Sequence, residues 1–177
     1  MQRLWGMSTK LAFGCSHTYG VGVDPIEAWP YLLGAENFGV PAVSSDYIAR
    51  ILPEKLIEYK PDVVYVLWPD WTRFEYTING TIYQSLPTDK NRIDFMEIAT
   101  DEWLHKNFET QIAKVRELCK DTKLIELTLY DLINFIDHAD CWPLSKLGHH
   151  YSEVWHQQVA DIFKNHAEWI TNHRLFA

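Results

Sequence analysis

Apolar residues recur along this chain in two rhythms, and the alternation between them predicts its fold. Lys10-Leu11-Ala12-Phe13-Gly14, Asp62-Val63-Val64-Tyr65-Val66-Leu67-Trp68 and residues 122–127 are short, nearly continuous apolar runs. Such runs suit parallel strands covered on both faces, where no side of the sheet meets water. Residues 45–59, 101–119 and 152–170 instead space their apolar positions three and four apart, as Ile48, Ala49, Ile51, Leu52, Leu56 and Ile57 do. That is the stripe of an amphipathic helix. Pro53 is expected to kink the first of these three, and Ser152 with Glu153 to cap and open the last. Shorter helices are expected over 28–33 and 132–136, and Asn37 to Pro41 reads as a second strand or extended piece. Strand followed by helix, repeated, predicts an α/β protein: a three-layer α/β/α sandwich around a parallel sheet.

One stretch departs from this rhythm. Residues 74–83 alternate about Asn79-Gly80, a pair that favours a tight two-residue turn, so a β-hairpin insertion is expected near 74–84. No repeat, low-complexity tract or Gly/Pro-rich linker divides the sequence, and 177 residues suit one core better than two. A single domain over 1–177 is expected.

Composition then removes several classes of function. The net charge of −8, with no basic stripe to offset it, argues against nucleic acid and mildly against anionic membranes. Neutral or cationic small molecules remain. Cys15, Cys119 and Cys141 are odd in number and form no CxxC pair, which reads as reduced thiols. Residues 1–10 lack the apolar run of a signal peptide, and no stretch approaches a membrane span, so a cytoplasmic location is expected. Eight Trp suggest a well-filled core, with Trp68 and Trp71 suited to core or to a cleft wall.

Parallel sheets bind ligands beyond the carboxyl ends of their strands. Ser16, Gly39 and the segment from Trp68 to Arg73 fall at such ends. A serine in a tight turn after a buried strand can expose its hydroxyl while backbone N–H groups face a developing oxyanion. The same residues also suit a plain turn in which Ser16 caps a helix. Gly39 lets its N–H approach a ligand closely, and Ser44 or Asp46 is placed to cap the helix that follows.

Taken together, Phe13-Gly14-Cys15-Ser16-His17-Thr18, Asn37-Phe38-Gly39-Val40-Pro41 and Ser45-Asp46-Tyr47-Ile48-Ala49-Arg50 resemble the SGNH (GDSL-like) hydrolases of phage and bacterial type. The resemblance covers residues 1–75 and returns near the C-terminus. It implies a flavodoxin-like sheet, no cofactor and no metal. It also implies a small-molecule ester as substrate, with O-acetyl groups on carbohydrates as one class. Ser16 maps to the nucleophile, and the Ser16 and Gly39 N–H groups map to oxyanion donors. Cys15 stands where the family has Asp. The family's oxyanion Asn has no counterpart here. Asp70 sits nearest its place, and because a carboxylate would repel an oxyanion, Asp70 is expected to turn away or to pair with Arg73. Thr72 or a backbone group would then serve as donor.

His150 maps to the general base, with His149 as the alternative one residue away. Leu147 stands where the family keeps the orienting Asp. Asp140 or Asp137 could fill that role, or a backbone carbonyl could orient a Ser–His dyad. His17 and His156 read as structural. A rival metal site from His138, His149, His150 and His156 matches no known ligand spacing. Cys15 as nucleophile would point away from Ser16. Three functions are therefore in play: a serine ester hydrolase, a catalytically weakened ligand-binding protein of the same fold, and an assembly protein using a Trp- and Tyr-rich surface.

Overall fold

A computed structural model of the chain describes residues 8–85, 99–136 and 150–165. Its centre is a four-stranded parallel sheet in the order β2-β1-β3-β6. The strands are β1 (Lys10–Gly14), β2 (Glu36–Asn37), β3 (Val63–Trp68) and β6 (Lys123–Thr128). The chain starts in the middle of the sheet, steps to one edge and then crosses to the other side. The strand order therefore reverses between β1 and β3, and in sheets of this kind the carboxyl ends at such a reversal are where ligands bind.

Alternate side chains of each strand enter two separate cores, as the near-continuous apolar runs require. Leu11, Phe13, Val64, Val66 and Trp68 pack under α3 (Ser45–Tyr59) and α4 (Asp101–Leu118). On the opposite face Ala12, Tyr65, Leu67, Ile125 and Leu127 pack under α2 (Trp29–Leu32), α5 (Leu129–Phe135) and α6 (Glu153–Asn165). Helices thus cover both faces, and the architecture is the expected three-layer α/β/α sandwich. Residues 166–170, assigned to the last helix from their periodicity, lie outside the described residues.

The hairpin is also where the sequence puts it. Strands β4 (Phe74–Ile78) and β5 (Thr81–Ser85) form their own antiparallel ribbon. Its turn holds Asn79 at φ 51° and Gly80 at φ 80°, the left-handed pair that a type I′ turn requires. Helix α3 runs from Ser45 to Tyr59 with Pro53 inside it. One local expectation needs amendment. Ser152 precedes α6 and its carbonyl accepts the His156 N–H, but its hydroxyl is buried without a partner and so does not cap the helix. Among the described residues, no helix is long and apolar enough to cross a membrane.

Candidate active site

Strand β1 ends at Gly14, and the chain turns at once into α1 (Ser16–Tyr19). The turn is tight because Gly14 has no side chain. A Cβ there would sit 2.0 Å from Thr18 Oγ1 and 2.7 Å from the Leu67 carbonyl of β3. The Cys15 carbonyl accepts the N–H groups of Thr18 and Tyr19, and that of Ser16 accepts those of Gly20 and Val21. Gly20, at φ 89°, ends the helix. Ser16 is 8% exposed, whereas Cys15 is fully buried. Of the two nucleophile candidates, only the serine keeps any exposure.

The segment after β2 closes on this turn. Phe38 and Val40 donate to the Ala12 and Gly14 carbonyls and extend the β2–β1 pairing beyond the strand. Gly39 lies against the backbone of α1, where a Cβ would stand 2.4 Å from the Tyr19 nitrogen. Asn37 ties the two together. Its Nδ2 donates to the Thr18 and Tyr19 carbonyls at 2.9 and 3.3 Å, and its Oδ1 accepts the Gly39 N–H at 2.9 Å. The Gly39 N–H, expected to serve as an oxyanion donor, is therefore committed to Asn37. Sequence reasoning passed over Asn37 as a clamp. The available signal was an Asn two residues before a Gly at a strand end, a spacing that lets a short amide close on the backbone.

The third wall is the loop after β3. Asp70 accepts from the Thr72 N–H at 2.8 Å, from the Thr72 hydroxyl and, more weakly, from the Tyr130 hydroxyl at 3.4 Å. Of the two alternatives for Asp70, turning away or pairing with Arg73, the pairing is not what forms. The carboxylate closes a local turn two residues ahead, where short side chains meet most easily, and this also engages the Thr72 hydroxyl. Arg73 contributes only its N–H to the Asp70 carbonyl. Its Nε and Nη1 are buried and have no hydrogen-bond partner. Trp68 belongs to the core, its Nε1 donating to Glu126, and Trp71 stacks on His105 at 3.8 Å.

The fourth wall precedes and begins α6. The His17 ring lies 5.4 Å from His150, 5.2 Å from Tyr151 and 5.5 Å from Trp155. Burial pushes the His17 imidazole down to about 3, helped by the proximity of His150, His156 and Arg73. His156 is likewise held down to about 4, first by burial and then by His150. Its Nδ1 accepts the Trp29 N–H, which fixes it as a neutral structural ring. His17 and His156 are thus neutral at pH 7 and too weakly basic to take a serine proton. His150 stands beside them, against the residue that follows Ser16. His149, Asp140, Asp137, His138 and Cys141 lie outside the described residues. Among the described residues, no three His, Cys, Asp or Glu side chains converge as a metal site.

No protein-family model and no curated protein sequence matches the chain. Solved structures do. A putative lipolytic protein of the G-D-S-L family from Desulfitobacterium hafniense DCB-2 superposes with a TM-score of 0.58 at 15% identity, over 91% of this chain and 99% of its own. TesA gives 0.56 at 14% identity, over 92% of this chain and 97% of its own. The psychrotrophic esterase EstA from Pseudoalteromonas sp. gives 0.53 at 12% identity, covering 94% and 100%. With its reversed strand order, its doubly covered parallel sheet and these structural counterparts, the chain has the fold of the SGNH (GDSL) hydrolases.

Proposed function

We propose that this chain is a serine ester hydrolase with Ser16 as nucleophile and His150 as general base. One observation carries the reading. Ser16 opens a one-turn helix at the carboxyl end of β1, beside the sheet's switch point, and His150 lies against the same turn. In the reaction, Ser16 Oγ attacks the acyl carbonyl while His150 removes the hydroxyl proton. The tetrahedral intermediate collapses and the alcohol leaves with that proton. Water then attacks the acyl-serine, again through His150, releasing the acid and restoring the hydroxyl. The developing oxyanion is met by the Ser16 N–H, which as the first amide of α1 has no acceptor within the helix. Gly39, whose N–H is given to Asn37, lets the segment after β2 close on α1 and so helps hold the Ser16 turn in place.

Asp140 is the proposed acid behind His150, and His149 is the alternative base. The proposed substrate is a small or carbohydrate-linked acyl or acetyl ester. No cofactor, nucleic acid or membrane takes part, and the proposed location is cytoplasmic. Hydrolysis of p-nitrophenyl acetate tests this reading. Ser16→Ala and His150→Ala should each lower kcat by a factor of about 100 or more. Equal residual turnover in wild type and both variants would overturn it in favour of a ligand-binding protein of the same fold. That alternative is favoured by the commitment of the Gly39 N–H and the absence of an oxyanion Asn.

A further inference from the structure

Arg73 is unlike the other cations of the described chain. Arg50 pairs with Glu75, Arg116 with Glu126, and Lys55 with Glu58, all at the surface. Arg73 keeps Nε and Nη1 buried without a hydrogen-bond partner, and among the described residues it forms no ion pair. The acids around it are taken elsewhere: Asp70 by Thr72 and Tyr130, and Glu75 by Arg50 and Gln84. A buried guanidinium with orphaned N–H groups is costly, and folded proteins retain such groups where they serve a ligand or a strained site.

Its place in the fold says which ligand. Arg73 lies in the loop that leaves β3, and β3 pairs with β1 so that Leu67 opposes Gly14, two residues before Ser16. Ser16 and Arg73 thus lie on loops that leave the carboxyl ends of adjacent central strands, and Arg73 is near enough to His17, the residue after Ser16, to help hold its imidazole neutral. His17, which packs on Tyr151 and Trp155, is neutral, as is His156, so Arg73 supplies one unit of positive charge on this side of the sheet. One guanidinium balances one carboxylate, whereas a phosphate dianion would leave a charge unmatched.

Building on the serine-hydrolase reading, we infer that Arg73 is the anion-binding residue of the Ser16 site and that its natural ester carries a carboxylate. Hydrolysis of such a half-ester adds the OH of water to the acyl carbon and its proton to the departing alcohol, leaving a dicarboxylate that Arg73 also holds.

Two measurements test this. In the first, kcat/KM is compared for p-nitrophenyl hemiglutarate and p-nitrophenyl valerate, which differ in a terminal carboxylate against a methyl group. Wild type should favour the hemiglutarate at least tenfold. Arg73→Gln should erase that ratio, and Arg73→Lys should keep part of it. Equal loss on both esters, or no preference in wild type, would overturn the inference. The second measurement needs no turnover: calorimetric titration of Ser16→Ala with glutarate, repeated on the Ser16→Ala/Arg73→Gln pair. Binding to the first and not to the second supports the anion site even if wild type hydrolyses no ester, so the two readings can fail separately. No glutarate binding to Ser16→Ala overturns it.

Discussion

The loops that leave the two central strands are built in opposite ways. After β1, the backbone carbonyls of the Ser16 turn are occupied by amides of the same turn or by Asn37, and Gly14 and Gly39 allow backbones to touch. After β3, Asp70 closes a small turn on itself while Arg73 keeps buried donors without partners. The first loop spends its polar groups on holding a shape. The second withholds some of them. A nucleophile gains from a fixed position, whereas a recognition group must leave donors open for its ligand, so the contrast follows the roles proposed for Ser16 and Arg73.

The strongest way to break the first loop is to add a methyl group where backbones meet. Gly39→Ala should cost about 3 kcal/mol or more, because the obstructing atom is a backbone nitrogen that cannot rotate away. Urea unfolding would measure it, and a cost below about 1 kcal/mol would show that the loop yields. Acid should act on the same wall with comparable force. His156 and His17 have folded pKa values of about 4 and about 3, below the unfolded value near 6.5. Between those limits the unfolded chain binds protons that the folded chain refuses. Stability is therefore full above about pH 6.5 and falls as the pH drops toward 4, by about 3 kcal/mol from His156 alone. His156→Gln should flatten that slope in denaturant melts taken between pH 4 and 7.

Substitution at the two key polar residues should move stability in opposite directions. Asn37→Ala removes the clamp and leaves the Thr18 and Tyr19 carbonyls and the Gly39 N–H without it, a loss of about 2 kcal/mol. Arg73→Met keeps much of the packing and removes the unpaired charge, so it should raise stability by about 1 kcal/mol. Equilibrium unfolding of both variants in parallel gives the signs directly. A destabilised Arg73→Met would mean that the guanidinium is part of the structural frame, and the contrast between the loops would collapse.

Much of this was legible in the sequence, and the remainder has physical reasons. The strands and helices followed from periodicity because two-sided burial leaves a plain apolar signature. Ser16 was singled out by the resemblance of two separate blocks to a known hydrolase family, because the block after the buried strand by itself suits a plain turn equally well. The environment of Asp70 had no such signature. Pairing with Arg73 and closure on Thr72 both satisfy a carboxylate, and only the turn geometry decides between them. Asn37 was only half legible: its closure on Gly39 is local, but its partners Thr18 and Tyr19 lie far back in sequence and reach it only through the β1–β2 pairing. Asp140 and His149 lie outside the described residues.

The smallest expected effect tests whether the Ser16 side of the site is as relaxed as its hydrogen bonds suggest. Ala42, between Gly39 and the start of α3, has φ 67°, in the left-handed region where an alanine Cβ crowds its own backbone. That conformation costs about 1–2 kcal/mol, while glycine would add about 0.4–1 kcal/mol of unfolded-state entropy to be lost on folding. Ala42→Gly should therefore stabilise the chain by about 0.5 kcal/mol, readable as a small rise in urea midpoint at unchanged slope. Strain persists at a site when the surrounding structure forces it, and Gly39 on one side and the buried Val43 on the other leave this residue little freedom. If esterase turnover falls while stability rises, the strained turn is part of how the site is shaped, and the firmness of the first loop extends beyond its hydrogen bonds. If turnover is unchanged, the positioning of Ser16 rests on Asn37 and the two glycines.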